Sequence, residues 1–118
     1  DVLMVEQAPH DWLFSRVDAV VHHGGAGTVA AAAASGRPQV ICPFLGDQPF
    51  WARQARIAGI APEPIPQRRL ASDRLASAIR ETLDRRADTA AKLGELIRAE
   101  DGTGNAIQEL DRLCRAAR

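Results

Sequence analysis

The sequence predicts an α/β domain, a Rossmann-like doubly wound parallel sheet with helices on both faces. Two observations carry this. Short apolar runs rich in β-branched residues alternate with segments of helical character, and a glycine turn, Gly24-Gly25-Ala26-Gly27-Thr28, stands between one such run and an alanine-rich stretch. Runs apolar along their whole length fit parallel strands covered on both sides.

Val2 to Val5 is expected as a first buried strand, ending at Ala8-Pro9. Asp11 is expected to cap a brief helix holding Trp12, Leu13 and Phe14, with both Trp12 and Trp51 serving packing. Val17 to Val21 gives a second strand that runs into His22-His23. The alanine-rich stretch to Ser35 favours helix, and Gly36 stops it. Gln39 to Cys42 reads as a third strand and Pro43 to Gln48 as a loop. Pro49 opens a helix that Gly59 closes. After the proline-spaced connector Pro62, Pro64, Pro66, Ser72 starts a helix marked by Leu75, Ile79 and Leu83. Leu93, Leu96 and Ile97 mark another. Beyond Asp101-Gly102, Ile107, Leu110 and Leu113 define a closing amphipathic helix.

Three strands are few for such a sheet, so further strands are expected upstream, and the 118 residues are read as one incomplete domain. Charge excludes whole classes of partner: 15 basic and 15 acidic residues leave no net field for nucleic acid or an anionic membrane. No apolar run has the length of a membrane span, and Cys42 and Cys114 form neither a disulfide framework nor a metal knuckle. A cytoplasmic location is therefore expected. The abundance of arginine and alanine reflects a GC-rich genome more than a mechanism.

The glycine turn carries the chemistry. Amides at a helix N-terminus have no partner within the helix and carry partial positive charge, which suits a phosphate. Glycines at 24, 25 and 27 remove side chains that would hold a diphosphate off the backbone, and the Thr28 hydroxyl can cap the helix or bond an oxygen. A protonated His23 would add positive charge beside a diphosphate leaving group. The plainer alternative is that His22 and His23 end a strand, one inward and one outward, with the glycines serving helix packing.

Gly25 to Ala30 also satisfies the dinucleotide pattern G-x-G-x-x-G/A. A nicotinamide or flavin domain would put an acidic residue at the end of the next strand, where Cys42-Pro43 stands, and would put the glycines after its first strand. No GK[ST] phosphate loop is present, and the histidines lack metal-ligand spacing, so no metal site is expected.

Four blocks in order, Pro9-His10-Asp11-Trp12-Leu13-Phe14, VVHHGGAGT, Gly36-Arg37-Pro38 and PFLGDQPFWA, resemble the C-terminal domain of family 1 glycosyltransferases of the GT-B type. The wording is nearest to bacterial, sterol-glucosylating and antibiotic-tailoring branches, over about Val2 to Leu113. The resemblance implies that His23, Gly24, Gly25, Gly27 and Thr28 grip the donor diphosphate. It assigns Asp47 and Gln48 to the donor sugar's hydroxyls, although Asp47 also stands where a helix start would favour a carboxylate. It lays Ala8, Pro9 and His10 against the nucleobase. Plant members carry a stacking tryptophan where Gln7 stands and an acidic ribose contact where Ala31 stands.

The expectation is the donor half of an inverting, metal-independent transferase moving a hexose from a UDP- or TDP-sugar, with no cofactor, to a hydroxyl of a small lipophilic acceptor such as a sterol or polyketide. An N-terminal acceptor domain carrying the general base would lie outside these residues, and the chain alone would be inactive. Two other readings stand beside it: a nucleotide-sugar epimerase or hydrolase on the same fold, and a non-catalytic assembly module whose strand edge at Val2, Leu3 and Val5 pairs two copies.

Overall fold

The computed structural model describes residues 1–117; residue 118, the last of the expected domain, lies outside the described residues. Helix α1 (His10–Phe14) precedes strand β1 (Val20–His22), α2 (Ala26–Ala34), β2 (Gln39–Ile41) and α3 (Gln48–Ile57). A 3-10 turn at Gln67–Arg69 leads to α4 (Ser72–Arg85), α5 (Ala87–Ala99) and α6 (Gly102–Ala116). Strands β1 and β2 are parallel, in register Val20↔Gln39, Val21↔Val40 and His22↔Ile41. The alternation is the predicted one, with strand and helix limits moved by a few residues.

The first expected strand is a correction. Val2 to Val5 form no strand, and Val2 is 88% exposed. A parallel strand is held by neighbours on its edges and layers on its faces, and among the described residues nothing pairs with this run. Asp11 does not cap α1: Pro9 takes that position, and the Asp11 carboxylate accepts from Trp12 N–H next to it at 2.9 Å. Trp12 is also half exposed, with the Arg16 guanidinium 4.6 Å above its ring. Trp51 does pack, against the core between α2 and α3.

On the far side of β2 the connector continues the sheet without counting as a strand. Gln39 N–H donates to Ile60 O at 2.8 Å, Ile65 N–H to Ile41 O at 3.0 Å and Gln67 N–H to Pro43 O at 3.2 Å. Alternation along an extended chain turns the nitrogens of Pro64 and Pro66 outward, where proline has no N–H to offer. That edge is thereby closed to a further strand.

The main core is made of small residues. Val29, Ala33, Ile41, Ala52, Ala55, Ile60, Ala61 and Ala90 form one cluster, with Leu93 and Ile97 of α5 laid against it. A second joins Val40, Cys42, Ile65 and Ala78, backed by Leu75 and Ile79. The predicted stripes are thus half right, because Leu83 and Leu96 turn outward. Helices α2 and α5 meet where Gly94 faces Gly36, which adopts φ +69° to end α2; a Cβ on Gly94 would lie 2.5 Å from Gly36 Cα. Two arginines close helix ends here: Arg98 of α5 donates to Ala34 O, and Arg37 donates to Phe14 O and Ser15 O at 3.1 and 2.7 Å.

Helix α6 forms, capped by Asp101 accepting from Gly104 N–H at 3.0 Å, yet none of its residues is buried. Its Ile107, Leu110 and Leu113 are exposed, and the molecule extends 60 × 30 × 28 Å. Its radius of gyration, 16.7 Å, exceeds the about 13.5 Å of a compact domain this size.

Gly94→Ala tests the α2–α5 crossing. In an open helix this change stabilises by about 0.5–1 kcal/mol; here the close approach reverses the sign, and urea denaturation is expected to show a loss of about 1–3 kcal/mol.

Candidate functional site

Parallel strands release their following loops at the same end, so the ladder ending at His22 and Ile41 brings two loops together. One is His23 to Gly25, leading into α2; the other is Pro43 to Asp47, leading into α3. They touch at Gly24. Its φ is +97°, a conformation that disfavours side chains, and a Cβ there would lie 2.8 Å from Ile41 Cγ2 and 3.1 Å from Gln48 O.

Gly25 holds the N-cap position of α2 with extended backbone, and no side chain caps the helix. The first helical bond is Val29 N–H to Gly25 O at 3.0 Å, which places the amides of Ala26, Gly27 and Thr28 in the first turn, where helices leave donors unused. Thr28 therefore does not cap the helix, contrary to one of its two expected roles; it sits inside the first turn. Gly27 has open space around it, with nothing within 4 Å of an added Cβ.

The two histidines part company. His23 is exposed, and its Nε2 borders Gly25 closely enough that a Cβ there would be 2.8 Å away. His22 turns inward: Nδ1 accepts from Gly24 N–H at 3.0 Å, and Nε2 lies 2.7 Å from Gln39 Oε1. Burial holds its pKa below the ordinary imidazole range; the Gln39 hydrogen bond opposes this, and His23 and His10 add to it.

In the second loop, Gln48 Oε1 accepts from the N–H groups of Phe44 and Leu45 at 2.8 and 3.0 Å, so its carbonyl oxygen shapes the loop and its amide nitrogen stays available as a donor. Asp47 stands at the N-cap of α3 without capping it; its Oδ2 accepts from Trp51 Nε1 at 2.9 Å. Both Asp47 and the tip residues Phe44 and Leu45 are exposed.

Ala8, Pro9 and His10, with Glu6 and Gln7, line an open depression of about 580 Å³, and the His10 ring stacks on Phe14 with centroids 4.6 Å apart. Two further hollows lie elsewhere. One, of about 540 Å³, runs between Pro62–Pro66 and α4; the other, of about 630 Å³, involves Pro43, Phe44, Arg53 and Arg68. Neither is lined by residues 23–28. The glycine turn is one wall rather than an enclosed pocket. Cys42 is buried, and burial pushes its thiol up, the wrong direction for a nucleophile.

Residues 1–112 match the family described as erythromycin biosynthesis protein CIII-like, C-terminal domain. The chain belongs to this family of glycosyltransferase C-terminal domains. Its similarity to sterol 3-beta-glucosyltransferase UGT80A2 of Arabidopsis thaliana is 43% identity over 91% of the chain and 17% of that protein. It is 44% identical to O-mycaminosyltylonolide 6-deoxyallosyltransferase of Streptomyces fradiae over 90% of the chain and 26% of that enzyme. A crystal structure of the glycotransferase of kitacinnamycin superposes with a TM-score of 0.80 at 30% identity, over 90% of this chain and 28% of that one. The chain thus spans roughly a sixth to just over a quarter of these relatives' length, and its architecture matches part of a GT-B C-terminal Rossmann-like domain.

Sequence reasoning overlooked Gln39. An amide within the run Gln39-Val40-Ile41 is out of place in a buried strand unless it has partners, and the neighbouring strand's His22 is the partner the sequence offered.

Gly27→Ala separates stability from binding at this family's glycine turn. Alanine in the first turn is expected to raise unfolding free energy by about 0.5–1 kcal/mol. Where the turn holds a nucleotide diphosphate, crowding of its amides would weaken UDP binding about tenfold, read by urea denaturation and calorimetry on the same protein.

Proposed function

We propose that this domain binds the diphosphate of a nucleotide-activated sugar and serves as the donor half of a cytoplasmic, bacterial glycosyltransferase. The observation that carries this is the uncapped N-terminus of α2, opened by glycines, with His23 on its rim and Asp47 and Gln48 across the loop that touches Gly24. The names of the relatives favour a hexose or deoxyhexose donor and a sterol- or macrolide-like acceptor.

In this reading Gly24, Gly25, Gly27 and Thr28 frame the diphosphate, and Asp47 and the Gln48 amide nitrogen select sugar hydroxyls. Ala8, Pro9 and His10 flank the base of UDP or TDP. An acceptor hydroxyl, held and deprotonated by an upstream domain, attacks the anomeric carbon from the face opposite the diphosphate. The carbon–oxygen bond to phosphate breaks with inversion. Charge growing on the leaving oxygen meets the helix amides and a protonated His23, which together do what a metal ion would otherwise do. No cofactor enters the scheme.

Calorimetric titration of the chain with UDP, TDP and GDP tests it. One of the three is expected to bind, and His23→Ala should weaken that binding about tenfold. Asp47→Asn, which can still hold the Trp51 indole, should leave UDP affinity unchanged and weaken only the UDP-sugar. A chain that binds none of the three nucleotides is an assembly module instead, and a gain of self-association through the Val2–Val5 segment would then be its signature.

A further inference from the structure

The most deeply set polar contacts near the glycine turn belong to residues without a task in donor binding. Gln39 is fully buried, and its amide nitrogen donates to Val29 O in α2 at 3.2 Å. Its Oε1 faces His22 Nε2 at 2.7 Å, and His22 Nδ1 receives Gly24 N–H at 3.0 Å. A backbone amide can only donate, so Nδ1 carries no proton, and the single proton of the neutral ring sits on Nε2 and points to Gln39. The three bonds run one way, from Gly24 through His22 and Gln39 to the helix that Gly24 precedes. Gly24 itself is boxed in by Ile41 Cγ2 and Gln48 O.

We infer that His22 and Gln39 are positioning residues: the neutral His22 ring holds Gly24 N–H turned into the protein, so that the amides of Ala26 to Thr28 form the phosphate-binding face. This rests on the donor-binding reading above. Such a device fixes the approach angle of the glycine turn before any ligand arrives, which removes an ordering cost from binding. It also gives the adjacent histidines opposite tasks. His23 serves the site through positive charge; His22 serves it by staying neutral.

An imidazolium at 22 would present a second N–H to Gly24 N–H, two donors face to face, and the tie would open. The titratable groups whose charge reaches His22 are His23 from the same turn and His10 from α1, and both disfavour a cation. Since burial lowers the pKa of His22 from 6.5, the neutral form predominates at and above that value. Its contribution to UDP affinity is full well above the lowered pKa and falls as pH drops through it.

The test combines long-range ¹H–¹⁵N spectra of the histidine rings with UDP calorimetry on the 118-residue chain, from about pH 5 to about pH 8. The expected spectrum shows His22 with its proton on Nε2. His22→Ala should weaken UDP binding about tenfold. His22→Asn, whose Oδ1 can take the place of Nδ1, should restore affinity to within about threefold and remove the loss at acid pH that the unsubstituted chain shows. Gln39→Leu should lower affinity and release the Nε2 tautomer. A His22 ring protonated on Nδ1 overturns the inference even if UDP binds, and so does a folded His22→Ala chain of unchanged affinity or a His22→Asn chain no better than alanine. Failure of the unsubstituted chain to bind UDP or TDP with the Nε2 tautomer present overturns the donor-binding reading, and the positioning role with it, while leaving the hydrogen-bonded chain itself established.

Discussion

Everything in the candidate site depends on the parallel pairing of β1 and β2. With His22 opposite Ile41, both strands end at one level, and the two loops that leave them must share the same few ångströms of edge. An antiparallel pair would send those loops to opposite ends of the sheet. The pairing also explains why Gly24 must be glycine. Its Cβ would strike Ile41, the residue across from His22, and the backbone of Gln48, where the second loop enters α3. One register therefore fixes both the glycine turn and its distance from the residues proposed to hold the sugar.

Small residues let the rest of the layers close on this short sheet. The alanine-rich helix α2 brings little apolar area per residue, but Ala32 and Ala33 allow it to lie close to its neighbours, and Gly36 and Gly94 let α5 cross it almost backbone to backbone. Close packing limits how far α2 can tilt or slide. A helix whose N-terminus serves as an anion site gains from that rigidity, because the direction of its first amides is set by the whole helix. The arginine ties from Arg98 and Arg37 act in the same sense at helix C-termini, where carbonyl groups lack partners. Of the four sequence blocks first noted, Gly36-Arg37-Pro38 thus belongs to the scaffold, with Pro38 O receiving Val20 N–H at the start of β1.

What the sequence made legible was periodic or punctuated. The glycine turn, the alanine helix, Gly36 as its stop, Pro49 in the first turn of α3 and the helices after Ser72 were all readable from local chemistry. What stayed hidden depended on partners far along the chain. Val2 to Val5 has the composition of a strand, but composition cannot supply the neighbour a strand needs. The connector from Ile60 to Gln67 looked like a loop because its prolines forbid ladder donors, yet only the outward nitrogens are missing and the inward ones bond to β2. Asp47 and Gln48 were legible as polar groups at a helix start; that Gln48 would use its carbonyl oxygen on Phe44 and Leu45 was not. That one of the two histidines would turn inward was legible from strand alternation; that His22 would meet Gln39, seventeen positions away, was not.

A chain with equal numbers of acidic and basic residues gathers anions through no long-range field, so the proposed hold on a diphosphate would be short-ranged and geometric. Helix amides and one imidazole on an exposed wall act through a high-dielectric surface, where each contact contributes little. The same groups become far stronger when a second surface covers them and excludes water. The exposed tip at Phe44 and Leu45, beside the site, is apolar surface of the kind such a cover would bury. Under the proposed function, a half-site of this design would hold its donor loosely while open and would reach full electrostatic strength only when an acceptor-bearing surface closed over it. Such closure would tie activation of the leaving group to the presence of the acceptor and would limit loss of the sugar to water.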